Sequence, residues 1–222
     1  MARAPIVKNL GVVDCESTWR RMQQLNKSHQ GGQPDEFWLL QHPPVFTLGL
    51  AGKPEHLLMP GDIPVVKIDR GGQVTYHGPG QLVVYLLLDL KALGYGVKEL
   101  VKRIEQSVID LLAQYGVDGY RLGGMPGVYT KASPAQSVAG SGPWAGHAKI
   151  AAIGLRVANH ATYHGLSLNI DMDPEPFSRI NPCGYEGLAV TQLRDFGVTD
   201  NIDIIGGKLA AQLQVNLYRD PP

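Results

Sequence analysis

Cysteine is scarce in this 222-residue chain: Cys15 and Cys183 are the whole supply. Two thiols so far apart make neither a disulfide framework nor a zinc set. Net charge is missing as well, since 20 basic side chains balance 20 acidic ones. A nucleic-acid binder needs a basic face, and a membrane-surface protein needs basic or amphipathic segments, so neither class is expected. No apolar run approaches the ~20 residues of a membrane span; the longest, 82–88, stops at Asp89. The N-terminal MARAPIVKNLG has no apolar core of the signal-peptide kind, which makes a cytoplasmic protein the expectation. There is no HExxH, no CxxC, no Walker A loop and no G-x-G-x-x-G, so neither a metal nor a nucleotide cofactor is expected.

Glycine (27) and proline (16) are plentiful. Either the chain is rich in loops, or particular backbone positions must come close to something. Apolar residues make up 44%, enough for a real core. With no repeat and no linker composition, one domain over 1–222 is expected.

Strands are expected at 6–10, 37–41, 45–50, 65–69 and 127–130. Residues 82–90 form a near-continuous apolar run that reads as a strand buried on both faces. Two more strands, 149–157 and 161–170, flank a turn at 158–160. Asp14 is a plausible N-cap for a helix to about Lys27. The clearest helix is 97–115: Leu100, Val101, Ile104, Val108, Leu111 and Leu112 repeat at 3–4 spacing, and Gly116 suits its C-terminal end. Shorter helices are read at 174–180 and 190–196, and a longer one at 204–217. Gly78-Pro79-Gly80 reads as a tight hairpin turn. Residues 131–147, small and polar, read as a mobile loop. This mixture without strict β-α-β alternation points to an α/β domain with a central mixed β-sheet flanked by helices.

Cys183, in N-P-C-G, is either a nucleophile in an open turn or a small buried hydrophobe. Cys15 lies between Asp14 and Glu16, whose charges disfavour a thiolate, so it reads as structural. Lys149 opens a strand, where desolvation would make it a base, or where it simply snorkels at the surface. His77 and His164 each sit against a glycine and are candidate bases or donors, or satisfied polar groups. Arg70-Gly71-Gly72 could form an anion-binding nest of backbone N–H groups. Gly154 and Gly165 lie within strands, where glycine needs a bulge or a close ligand to explain it.

In order, RGGQVTYHGPGQLVVYLLLDL (70–90), KIAAIGLRV (149–157), HGLSLNI (164–170) and INPCGYEGLAVTQL (180–193) closely resemble the lipoyl(octanoyl) transferases, the octanoyl-acyl carrier protein:protein N-octanoyltransferases. The resemblance runs from Phe37 to Leu193. It implies the fold of biotin and lipoate protein ligases, and a Cys/Lys dyad falling on Cys183 and Lys149. It implies substrate-contacting stretches at Arg70, Gly71, Gly72, Gln73, Val74, Thr75, Tyr76 and His77, at Ala152, Ile153 and Gly154, and at Gly165, Leu166 and Ser167. It implies ATP-independent movement of an octanoyl group from octanoyl-acyl carrier protein, through an octanoyl-Cys183 thioester, to a lysine of lipoyl domains. The acceptors implied are those of the 2-oxoacid dehydrogenase complexes and the glycine cleavage H protein. Carrier proteins are acidic, so a local basic patch is expected, with Lys98, Lys102, Arg103 and Arg121 as candidates.

Two departures from the family pattern stand out: an insertion, KASPAQSVAGSGPWAGHA, before Lys149, and T-Q-L at 191–193 in place of T-S-L. The nearest rival is an ATP-dependent lipoate-protein ligase on the same fold. The G-R-G-R-x-G-type run of biotin ligases is absent. A non-catalytic acyl-binding module and a thioesterase are the readings from other classes.

Overall fold

The computed structural model describes residues 4–132 and 142–219. Strand β1 (Ile6–Val12) leads into α1 (Cys15–Lys27), where the Asp14 carboxylate caps the Ser17 N–H at 2.8 Å. Then come β2 (Glu36–Gln41), β3 (Val45–Leu48), β4 (Val65–Lys67), β5 (Val74–His77), β6 (Gln81–Leu87) and a short α2 (Leu90–Leu93). The long helix α3 (Val97–Gln114) is followed by β7 (Tyr120–Leu122), β8 (Met125–Lys131), β9 (His147–Ala158) and β10 (Ala161–Asn169). A 3-10 segment (Glu175–Arg179), a second one (Pro182–Gly184), the two-residue β11 (Ala189–Val190), a third 3-10 segment (Leu193–Phe196) and α4 (Ile202–Tyr218) complete the chain.

The large sheet runs β1-β2-β6-β10-β9-β8-β7, with β11 on β9; a small sheet runs β4-β3-β5. The β1–β2, β9–β11 and β3–β4 pairs are parallel and the rest antiparallel, so the sheet is mixed. The apolar run at 82–90 does become a central strand buried on both faces. Leu82, Val84 and Leu86 face the buried stripes of α3 and α4 (Leu100, Ile104, Leu209, Leu213). Val83 and Tyr85 face Met22 of α1 and Trp38. Each such buried side chain contributes ~1.5–3 kcal/mol through apolar burial. The β9–β10 connection is a two-residue turn with Asn159 and His160 both at positive φ (52° and 60°), the geometry whose twist suits a hairpin.

Several sequence expectations are corrected. Gly78-Pro79-Gly80 is a turn but not a hairpin: β5 pairs with β3 and β6 with β2 and β10, so the turn passes the chain between sheets. The segments 174–180 and 190–196 are not α-helices; each holds a short 3-10 segment, and the start of the second pairs with β9 instead. The expected loop at 131–147 keeps its ends in the ladder, where Lys131 pairs with His147. At 142–147, Trp144 stacks on Tyr185 and donates to the Glu186 carbonyl. Residues 133–141 of that expectation lie outside the described residues. No helix among the described residues is long and apolar enough to cross a membrane.

Candidate active site

Strand β9 pairs with β10 from Ala151 to Ala158, but β8 leaves β9 after the Val128–Ala151 pair. Beyond that point the loop after β4 takes over the exposed edge, with the Gly71 N–H donating to the Leu155 carbonyl at 3.0 Å. The Gly71 N–H is therefore spent on the sheet edge, which takes one donor away from the nest expected at 70–72. A cavity of about 410 Å³ opens here. It is lined by Arg70, Gly71, Gly72, Gln73, Thr75, His77, Lys149, Ala152, Ile153, Gly154, His164, Gly165, Leu166, Ser167 and Cys183.

Val74 and Tyr76 are not among them. Alternation along β5 turns Thr75 and His77 toward the cavity, and Val74 and Tyr76 into the small sheet's core with Phe46, Leu48 and Phe177. The sequence missed several lining residues, including Val97 and Val101 of α3, Tyr85, Pro126 and Tyr185.

The cavity joins the two residues singled out for chemistry. Lys149 Nζ donates to Cys183 Sγ at 3.0 Å and to the Pro126 carbonyl at 3.2 Å, and it lies over the Tyr129 ring at 5.0 Å from the centroid. Lys149 is only 5% exposed. Burial alone pushes an ammonium down. Here the Cys183 sulfur and Tyr129 outweigh it and push Lys149 up to about 12. Desolvation, the reason to expect a base at Lys149, is opposed here by these neighbours, which favour the ammonium form. Gly127 makes room for it, because a Cβ there would lie 3.4 Å from Nζ and 2.6 Å from the Ala151 carbonyl oxygen.

Cys183 sits in the left-handed region (φ 57°, ψ 18°), uncommon for a residue with a side chain, between Pro182 and Gly184. Cys15 behaves as expected of a structural thiol: it is buried and pushed up to about 11, first by burial and then by the Asp14 charge.

Arg70 is 8% exposed and lies within salt-bridge distance of no carboxylate among the described residues. Its guanidinium donates instead to the Thr47 hydroxyl and carbonyl and to the Gly71 carbonyl. Burial lowers it to about 10, which leaves it a cation at neutral pH. His77 is pushed down to about 3, by burial first and then by the charge of His42.

His164 adopts φ 60° inside β10, which lets the sequence neighbours Tyr163 and His164 both bond the same Asp69 carboxylate. Burial pushes Asp69 up, but His164, Tyr163, Gln23 and Trp19 outweigh it and hold the carboxyl well below the usual range. The expected basic patch shrinks to Lys98 and Lys102. Arg103 is buried against the C-terminal end of α4, donating to the Asn216 carbonyl, and Arg121 pairs with Glu105.

The family model described as the lipoyl protein ligase A/B catalytic domain matches residues 14–214. An octanoyltransferase of Laribacter hongkongensis is 52% identical over 213 residues, covering 96% of each chain. Among solved structures, the bipartite lipoate protein ligase of Thermoplasma acidophilum aligns with a TM-score of 0.73 at 16% identity, over 99% of this chain and 86% of that one. The biotin protein ligase of Aquifex aeolicus aligns at 0.57 and 14% identity, over 96% and 70%. Those two likenesses fix the fold, and the sequence relatives and the family model fix the family: the chain belongs to the octanoyltransferases of the lipoyl protein ligase A/B family, enzymes of octanoyl transfer in protein lipoylation.

Proposed function

We propose that the transfer runs through an octanoyl-Cys183 thioester, with octanoyl-acyl carrier protein as donor and lipoyl-domain lysines as acceptors, and without ATP. The observation that carries this reading is the 3.0 Å contact from Lys149 to Cys183 inside a cavity walled by Ile153, Leu155, Leu166, Val97 and Val101. An ammonium in contact with the sulfur stabilises its negative charge, and the thiolate is the reacting form. The thiolate attacks the thioester carbonyl. The new oxyanion forms near the buried Arg70 cation, which lowers the cost of that charge. The carrier thiol leaves with the proton of Lys149, which makes Lys149 a neutral amine.

In the second half the acceptor amine attacks the Cys183 thioester, its proton passes to Lys149, and the thiolate leaves as an amide forms. The ammonium–thiolate pair is restored. Lys149 thus acts as acid first and base second. Exchange of one thioester for another is nearly isoenergetic and thioester to amide is downhill, so no nucleotide is required. An apolar wall suits an eight-carbon chain: roughly seven buried carbons at ~0.8 kcal/mol each give up to about 5–6 kcal/mol of binding. The acceptors would be lipoyl domains of 2-oxoacid dehydrogenase complexes and the glycine cleavage H protein.

The test is intact-mass spectrometry after mixing with octanoyl-carrier protein and no ATP. One octanoyl group should be gained, be removed by hydroxylamine, and be absent in Cys183→Ala. An adduct that persists in Cys183→Ala overturns the reading, and product formation that requires ATP favours a ligase.

A further inference from the structure

The Tyr129 hydroxyl is buried beside the Lys149 ammonium, and no hydrogen bond of ordinary geometry reaches it among the described residues. A phenylalanine would present the same ring without leaving a buried hydroxyl, whose desolvation costs ~1–3 kcal/mol. Tyr129 is fully buried and pairs with Lys149 across β8 and β9, with the Lys149 ammonium over its ring.

Acylation of Cys183 creates a hazard in this geometry. Lys149 Nζ lies 3.0 Å from Sγ. The thioester carbon, one bond from that sulfur, falls within reach of the ~3–3.5 Å near-attack distance. At this stage Lys149 has given up its proton and carries a lone pair, like the acceptor lysine. Its attack would break the carbon–sulfur bond, form a carbon–nitrogen bond and hand the amine proton to the Cys183 thiolate. The product would be an amide on Lys149 that hydroxylamine does not remove, on an enzyme without its acid and base.

We propose that Tyr129 is the positioning residue that guards this lone pair. In the acyl-enzyme its hydroxyl donates to the neutral Lys149 amine while the Pro126 carbonyl accepts an N–H from it, which turns the amine away from the acyl carbon. The resting ammonium can only donate toward the phenol oxygen and has no lone pair to take the hydroxyl proton, so that proton has no acceptor at rest. The proton of the incoming acceptor then displaces the hydroxyl from Nζ.

This inference rests on the Cys183 thioester. Its test incubates wild type and Tyr129→Phe with octanoyl-carrier protein and no acceptor, followed by intact mass, hydroxylamine treatment and peptide mapping. Wild type should carry an adduct on Cys183 that hydroxylamine removes. Tyr129→Phe should build a resistant adduct on Lys149 at least ten times faster, and lose activity toward a lipoyl domain added later at the same rate. A lipoyl domain present from the start should protect it. Tyr129→Phe keeps the ring and removes the unpaired hydroxyl, so its thermal unfolding should be no lower than wild type. If its adduct stays on Cys183 and stays labile, the proposal is overturned and the thioester reading stands. If wild type forms no labile Cys183 adduct, the thioester reading itself falls.

Discussion

His77 receives the Thr47 hydroxyl at Nε2, 3.3 Å away, so the network assigns its own proton to Nδ1, which donates to Gln81 Oε1 at 2.6 Å. Upstream, Arg70 donates to the same Thr47 oxygen from Nε at 3.1 Å and from Nη2 at 2.9 Å, which directs the Thr47 proton onward to His77. Downstream, Gln81 donates to Asn169 Oδ1 and Asn169 to the Thr191 carbonyl, both at 2.9 Å, and the Thr191 N–H donates to the Lys149 carbonyl at 3.0 Å. Each donor direction in this buried chain follows from the one before it. It ties the Arg70 cation to the backbone that carries Lys149.

Thr47→Val keeps the volume of the side chain and removes the oxygen. Arg70 Nε and the His77 acceptor then lose their partner in a buried site, and Arg70 Nη2 keeps only the Thr47 carbonyl. The expected loss is about 2–3 kcal/mol of stability by urea unfolding, with acyl transfer falling at least tenfold as Arg70 loosens. Thr47→Ser should retain both. Equal behaviour of the two variants would show that the methyl group, not the hydroxyl, is what matters.

Acid should destabilise the protein in a defined window. An unfolded histidine titrates near 6.5, whereas folded His77 titrates at about 3. Between those values the unfolded state alone takes up the proton, so stability is fully present above pH 6.5 and falls as pH drops toward 3. His77 alone accounts for a loss of roughly 3 kcal/mol by pH 4. Burial lowers His42 and His164 as well, which adds to the loss in the same direction. Urea midpoints between pH 7 and pH 4 measure this, and His77→Gln should flatten the slope.

The parts of this molecule legible in the sequence are those with local periodicity or a specific motif. The run 82–90 and helix 97–115 announce themselves by spacing, and Cys183 and Lys149 by the stretches around them. What could not be read depends on pairing across long stretches of chain. Asp69 gave no signal, because its donors Trp19, Gln23, Tyr163 and His164 come from two distant segments. Arg103, a basic-patch candidate from α3 alone, is covered by α4 and becomes a buried tie to the Asn216 carbonyl. Val97 and Val101 look like ordinary helix positions until the early end of β8 brings them to the cavity. The sulfur that opposes the desolvation of Lys149 lies 34 positions away in sequence, so its effect on the lysine is not legible in the strand around Lys149.

Lys149→Met tests the electrostatic half of the pair. It fills similar space and removes the cation 3.0 Å from Sγ. Alkylation of Cys183 by iodoacetamide at pH 7 should slow at least tenfold, because the thiolate loses its counter-charge. Acyl transfer should fall further, about a thousandfold, since in the proposed transfer the same residue would also move protons in both halves. Lys131→Met should leave both rates unchanged. An alkylation rate equal to wild type in Lys149→Met would remove the ammonium from the account of Cys183 reactivity.

The paired strand glycines separate structure from function. Gly165 and Gly154 face each other across β10 and β9. A Cβ on Gly165 would lie 2.0 Å from the Val84 carbonyl oxygen, which no side chain can yield to, so Gly165→Ala should cost about 3–5 kcal/mol and fail to accumulate as folded protein. A Cβ on Gly154 would meet the Gly71 carbonyl oxygen at 3.0 Å and Arg70 Cδ at 3.1 Å, both on the loop that walls the cavity. Gly154→Ala should therefore fold, with a thermal midpoint only a few degrees lower, yet lose most of its activity as that loop shifts. Loss of fold in Gly154→Ala matching that of Gly165→Ala would mean that the loop is part of the core and not an adjustable wall.

Val101 offers control of chain length. It lines the cavity from α3, one turn after Val97. Val101→Phe adds bulk to the apolar end and leaves Cys183 and Lys149 in place. If the octanoyl chain lies along this wall, the larger ring excludes roughly two methylenes, worth ~0.8 kcal/mol each, or about fifteenfold in affinity. The kcat/KM for an octanoyl donor should fall by about that factor while a hexanoyl donor is used as well as before or better. Val101→Ala should move the preference the other way, toward decanoyl. Competition between hexanoyl, octanoyl and decanoyl donors, read by the mass of the Cys183 adduct, measures the shift directly. A uniform loss across all three lengths would place the acyl chain elsewhere in the cavity.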